Sequence, residues 1–180
     1  VELFKRAFRR AGIPLAQSQG FHPQPKMSFL TALPLGVPSK DEYLKVTTAS
    51  PIGAAELTEK LSAQLPDGVK IIDSKTLESG RKIQPRAVTW QVEYEQALVL
   101  SSNPLHPEAQ VSYTDKKGKA KEHRLSDFIE VAEAEGRQSR VTIRLGLNGT
   151  PKPVAAVEAL WGLHWDGPPP MLRKIETILT

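Results

Sequence analysis

The first twelve residues, VELFKRAFRRAG, have the hydrophobic period of an amphipathic helix. Apolar side chains recur three and four positions apart, at Leu3, Phe4, Ala7, Phe8 and Ala11. This spacing places them on one helical face. Gly12, with Pro14 beyond it, predicts the end of the helix. The opposite face carries bases at positions 5, 6, 9 and 10, with no acid interleaved among them.

The rest of the first half alternates between strand and helix patterns. Strands are predicted at MSFLTAL, EYLKVTT and VKII. A helix is predicted between the second and third strands. It begins at Ser50-Pro51, carries Leu57, Leu61 and Leu65 in one stripe, and stops at Pro66. Their order is a split βαβ pattern that lacks only its first strand. We therefore expect a ferredoxin-like half whose first strand lies upstream of this sequence.

The second half contains more strands and begins after the polar segment ESGRKIQPR, the best candidate linker. The predicted elements are a half-buried strand at AVTWQVEYEQALVL, a hairpin around Asp115–Gly118, a strand at SRVTIRLGL, a helix capped by Thr150, and a closing strand at MLRKIETIL. LSDFIEVAEAEG fits either a short helix or a turn that leads into a strand. We predict an α+β protein of two ferredoxin-like halves with antiparallel sheets, residues 1–80 and 81–180.

Composition narrows the possible chemistry. Cysteine is absent, which excludes disulfides, thiolate metal sites and the iron-sulfur cluster of a radical SAM enzyme from this chain. The four histidines are scattered without ligand spacing, and we find neither a phosphate loop nor a dinucleotide fingerprint. No cofactor is expected. No apolar run reaches membrane-spanning length and no secretory leader opens the sequence, so we expect a cytoplasmic protein without a membrane partner.

Positive charge is concentrated near the beginning of the chain. Residues 1–40 contain six Lys or Arg and one acid, whereas the remaining residues contain 18 Lys or Arg and 19 acids. A cationic face of this kind attracts phosphates or acidic partners. The alternative is an ordinary solvated helix face, and the run of four bases without an interleaved acid favours anion binding.

The segment QSQGFHPQPK follows the cationic helix and is the second candidate for function. Gly20 is expected to supply a backbone angle or close approach that no side chain allows, and the two prolines stiffen the chain towards Lys26. We predict that Phe21 plugs the core rather than stacks on a base, and that His22 is not catalytic. The candidate nucleic-acid-binding residues are Lys5, Arg6, Arg9, Arg10, Gln17, Ser18, Gln19, Gly20, Phe21, His22 and Lys26.

The segment RAFRRAGIPLAQSQGFHPQPKMSFLTALPLGVPSKDEYLKV resembles the characteristic segment of an uncharacterised bacterial family described as radical-SAM-linked. The resemblance implies association with a radical SAM protein that has a cobalamin-binding domain, and its gene neighbourhood implies RNA metabolism or ribosome-linked modification. It implies no established reaction. The chain departs from the family pattern at His22-Pro23-Gln24-Pro25, where the family has Asn-Pro-His-Pro, and it lacks the Ser-His-Leu-Asp-like segment before the basic helix.

Three classes of function remain open from the sequence. The first is a non-catalytic, RNA-binding or substrate-presenting accessory of a radical SAM enzyme, in RNA or ribosome-linked modification. The second is an RNA-processing enzyme of ferredoxin-like fold, by analogy of fold alone. The third is a protein-docking module without RNA contact, whose basic face meets an acidic patch on its partner.

Overall fold

The computed structural model describes residues 1–78, 81–95, 100–114, 118–146, 149–164 and 166–180. The chain is α+β with antiparallel sheets, as predicted. It forms two compact units. Unit 1 comprises Val1–Leu30 and Leu44–Lys82, and unit 2 comprises Thr31–Tyr43 and Ile83–Thr180.

Unit 1 places two helices on a short antiparallel ribbon. Its elements are helix α1 (Glu2–Arg10), strands β1 (Met27–Phe29) and β2 (Leu44–Val46), and helix α2 (Ala54–Ser62). Met27 pairs with Val46 across the ribbon. Both side chains pack against a small core whose buried members are Ala7, Phe8, Ile13, Leu15 and Leu61.

Two sequence predictions for unit 1 are wrong. Residues 69–72 form no strand, although Ile71 packs against the core. Helix α2 begins at Ala54 with Gly53 as its N-cap, not at Ser50. Gly53 has extended backbone angles (φ −68°, ψ 147°), and the N–H of Leu57 donates to its carbonyl at 2.9 Å, so the helical hydrogen bonds begin at Gly53.

Unit 2 contains a four-stranded antiparallel sheet and a separate hairpin. In chain order its elements are β3 (Pro85–Glu93), β4 (Gln110–Thr114), β5 (Ala120–Arg124), a 3-10 turn (Leu125–Asp127), β6 (Ile129–Glu135), β7 (Gln138–Arg144), α3 (Pro153–Trp161) and β8 (Met171–Leu179). The sheet order is β6-β7-β3-β8, and β4 pairs with β5. Residues 115–117, in the tip of the predicted hairpin, lie outside the described residues.

The strands of this sheet and α3 follow one another as β-β-β-α-β, with the hairpin and the 3-10 turn between the first two strands. In a ferredoxin-like β-α-β-β-α-β fold, a helix would connect the first two strands, here β3 and β6. The hairpin and the 3-10 turn occupy that position, so ferredoxin-like halves remain a prediction. The ambiguous segment after Arg124 is a 3-10 turn that leads into β6. Thr150 does not cap α3, because Lys152 is the N-cap and the Thr150 hydroxyl accepts a hydrogen bond from the N–H of Gly146.

Residues 31–43, which precede β2 in the chain, belong to unit 2 and lie along β8. The N–H of Lys40 donates to the carbonyl of Lys174 at 3.0 Å. The fully buried Lys174 ammonium in turn donates to Thr31 Oγ1 at 2.6 Å and to Glu42 Oε1 at 2.7 Å. This network fixes the segment to the edge of the sheet.

Candidate nucleic-acid interface

The C-terminal end of helix α1, which carries Arg9 and Arg10, is fixed by main-chain hydrogen bonds. The helix closes on Gly12, which has a positive φ of 67° that favours glycine. The N–H of Gly12 bonds to the carbonyl of Arg9, and the N–H of Ile13 bonds to that of Phe8. This is a Schellman motif, and the accompanying contact between Ile13 and Phe8 is buried. The helix end is therefore rigid.

The four bases share the helix face that points away from the core. Positions 5, 6, 9 and 10 span an arc of roughly 140° at 3.6 residues per turn. The side chains of Arg6, Arg9 and Arg10 are exposed. Among the described residues, no ion pair joins any of these three guanidinium groups to a carboxylate.

Lys5 differs from the three arginines because it lies at the flank of the cationic face. Its ammonium contacts Glu2 Oε1 at 2.9 Å, and this hydrogen bond lowers the pKa of the exposed Glu2 carboxyl. The same ammonium donates to Gln24 Oε1 at 3.4 Å. Lys5 thus connects the helix to the loop 17–26, which places the loop next to one side of the cationic face.

The loop 17–26, QSQGFHPQPK, is closed by main-chain pairing at its base. Gln17 and Pro25 form an antiparallel bridge, and the N–H of Lys26 donates to the carbonyl of Ala16 at 2.7 Å. The N–H of Ser18 donates to the Gln24 carbonyl at 2.8 Å, and Ser18 Oγ accepts from the N–H of Gln24 at 2.9 Å. The loop is therefore a narrow, hydrogen-bonded projection.

The tip of this projection consists of four exposed residues, Gln19, Gly20, Phe21 and His22. Gly20 has a φ of 129°, so it supplies the unusual backbone angle expected of it. Phe21 has a relative exposure of 102%. The prediction that Phe21 plugs the core is wrong, because the base of the loop is held closed and its tip points into solvent.

Lys26 does not join the arginines of α1. Lys26 lies in a bend just before β1. It lines a shallow cavity of about 250 Å³ together with Met27, Ser28, Lys45 and Thr47, none of which belongs to α1. Lys45 is a basic residue that the sequence analysis missed, since its place beside Lys26 depends on the strand register.

The two units differ in net charge. Unit 1 contains eleven Lys or Arg and six acids, and unit 2 contains thirteen and fourteen. No acid occurs between Glu2 and Asp41 in the sequence. Unit 1 is thus the cationic unit, and its acid-free residues 3–30 include the four bases of α1 and the loop 17–26.

No group of three or more potential metal ligands occurs in the part of the chain that the structure describes. Across the same residues, none of the helices has the length and apolar character needed to cross a bilayer. His22 is exposed at the loop tip.

The fold and this site define an α+β protein with a cationic unit whose basic helix adjoins a projecting aromatic tip. Residues 1–153 match the model of a bacterial family described as "Uncharacterized protein conserved in bacteria (DUF2344)", and the chain belongs to this family. No curated protein and no solved structure matches the chain.

Proposed function

We propose that this protein is a cytoplasmic, non-catalytic accessory of a radical SAM enzyme, and that it binds RNA or presents an RNA substrate. Arg6, Arg9 and Arg10 contact the phosphates, and the loop 17–26 contacts a nucleotide. The reaction served is RNA or ribosome-linked modification.

One observation carries the RNA-binding part of this proposal. Three neighbouring guanidinium groups on a rigid helix are exposed and are not paired with any described carboxylate. Guanidinium groups bind phosphate through a planar array of donors. Holding like charges four residues apart costs about 0.2–0.5 kcal/mol per pair in an isolated helix, and a bound polyanion relieves this repulsion.

The partner in the proposal is a radical SAM protein with a cobalamin-binding domain. Its support is the resemblance of residues 6–46 to the radical-SAM-linked pattern. Co-purification of the full chain with that partner should survive ribonuclease treatment. Loss of the complex on treatment would mean that RNA alone joins the two proteins.

The RNA-binding proposal is tested by removing the three arginine charges together. The change Arg6→Gln, Arg9→Gln and Arg10→Gln in the full chain should weaken binding of a labelled oligouridylate by about 100-fold at 0.1 M salt. This factor is the electrostatic contribution of three phosphate contacts to a single strand. Fluorescence anisotropy measures the affinity. Glutamine is preferred to glutamate because new negative charge near the helix end would itself destabilise α1.

A matched control removes the same charge from elsewhere in unit 1. Lys60, Lys70 and Lys75 lie outside α1, and the first and last already pair with Glu56 and Asp73. Their joint replacement by glutamine should leave RNA affinity within about twofold. Equal losses in both triple variants would reject a localised site, and undiminished binding by the arginine variant would reject the proposal.

A further inference from the structure

Phe21 is an exposed aromatic side chain on a fixed support. Its relative exposure of 102% leaves both faces of the ring open to solvent. Three hydrogen bonds at residues 16–18 and 24–26, two between main-chain groups and one to the Ser18 hydroxyl, close the loop below it, and Pro23 restricts the backbone after the tip. The ring is therefore held away from the core, and a flat ligand that covers it would remove apolar surface from water.

We infer that Phe21 stacks against an unpaired base, so that unit 1 selects single-stranded or looped RNA over duplex RNA. This inference rests on the proposed function, because the same RNA strand supplies the phosphates bound by α1. The ligand class is a single strand with at least one unstacked base.

The charge around the ring favours a nucleotide over an apolar protein pocket. The loop adjoins the cationic face through the contact between Lys5 and Gln24, and the chain has no acid from residue 3 to residue 40. Proteins that bind single strands combine a positively charged surface along the backbone with aromatic side chains on which bases stack. Unit 1 has both features side by side.

The geometry also explains why a duplex would be a poor ligand. In an A-form helix the bases are stacked and paired, and the deep major groove excludes protein side chains. An A-form duplex therefore offers no exposed base face on which the Phe21 ring could stack. A duplex would bind only through its phosphates, and its affinity would not depend on Phe21.

The test compares two RNA probes with the same number of phosphates, a single-stranded oligouridylate and a blunt-ended duplex of two annealed strands without a loop, on the full chain. Phe21→Ala should weaken oligouridylate binding by roughly 5- to 150-fold, the range found for one base-aromatic stack, and should leave duplex binding within about twofold. Phe21→Trp should retain the preference for the single strand. Ile72→Ala is the matched control, since it removes another exposed apolar side chain from unit 1 and should change neither affinity.

The outcomes separate the inference from the proposed function. If Phe21→Ala binds both probes as the wild type does while the arginine variant loses them, the stacking site is wrong and the phosphate site stands. If the wild type binds neither probe, both fail. If Phe21→Ala abolishes co-purification with the radical SAM partner without changing RNA affinity, the ring contacts protein and the inference is overturned.

Discussion

His123 is buried in unit 2, with its ring stacked on Tyr113 at a centroid distance of 4.2 Å and edge-on to Phe128 at 4.6 Å. Its Nε2 atom has no hydrogen-bond partner among the described residues. Burial, helped by the charge of Lys121, lowers the pKa of this imidazole below its ordinary value of 6.5. Protonation would place an unpaired charge among aromatic rings, so the neutral form is favoured in the folded state.

This arrangement predicts an acid-sensitive stability. Below pH 6.5 the unfolded chain binds a proton at His123 that the folded chain resists, so stability is complete above that pH and falls as the pH drops. His123→Phe should remove this part of the pH dependence of the melting temperature between pH 7 and pH 5. His164→Gln, at an exposed histidine, should retain it. Equal pH dependence in wild type and His123→Phe would contradict the account.

The buried Lys174 gives a second prediction for a single residue. Glu42→Ala should lower the free energy of unfolding by about 3 kcal/mol, because it leaves a fully buried ammonium without its carboxylate. We choose the lower end of the usual range because the Glu42 side chain is 23% exposed. Urea denaturation measures the change.

Two comparisons test whether the buried charge is the cause. Lys174→Met removes the cation and leaves a partly exposed carboxylate, so it should cost less than Glu42→Ala. Glu133→Ala breaks an ion pair with Arg140 in which both side chains are more than half exposed, and it should cost no more than about 1 kcal/mol. Similar losses of unfolding free energy for Glu42→Ala and Glu133→Ala would show that the ion pair between Lys174 and Glu42 contributes no more than a surface ion pair.

At the scale of elements, the end of α1 depends on the backbone of Gly12. A Cβ added there would meet no atom within 4 Å, so the cost of Gly12→Ala comes from the positive φ alone. We expect a loss of about 1–2 kcal/mol in urea denaturation. Gly53→Ala is the control, because Gly53 has an ordinary φ of −68° and equally open space. The loss of a favourable N-cap glycine and the lower entropy of the unfolded chain oppose each other, so its effect should be well below that of Gly12→Ala. If Gly12→Ala left the free energy of unfolding unchanged, the end of α1 would not depend on a positive φ at residue 12.

How well the sequence predicts an element depends on whether local and tertiary signals agree. Helix α1 is predicted correctly because its apolar stripe, its terminal glycine and its contact with the core all indicate the same span. The start of α2 is misplaced because the segment contains two N-cap signals, and the helix begins after Gly53, whose backbone is extended, rather than at Ser50-Pro51. Phe21 is misplaced because hydrophobicity does not show whether a loop folds inward, and the pairing of Ser18 with Gln24 turns the tip outward.

At the scale of the whole chain, the sequence predicts where charge concentrates but not which residues share a surface. Most of the acid-free stretch, residues 3–30, lies in unit 1, which is the cationic unit, but residues 31–40 lie in unit 2. No pattern indicates that residues 31–43 belong to unit 2, because that placement depends on Lys174, far away in the chain. Lys26 illustrates the same limit, since the strand register places it beside Lys45 and away from α1.

The salt dependence of single-stranded RNA binding tests the central claim most directly, because it counts phosphate contacts. Affinity for a single strand falls with log salt with a slope of about −0.7 per phosphate contact. If Arg6, Arg9 and Arg10 each hold one phosphate, their joint replacement by glutamine should reduce the magnitude of the slope by about 2, and Phe21→Ala should leave the slope unchanged. The same slope in the wild type and the arginine variant would contradict the account.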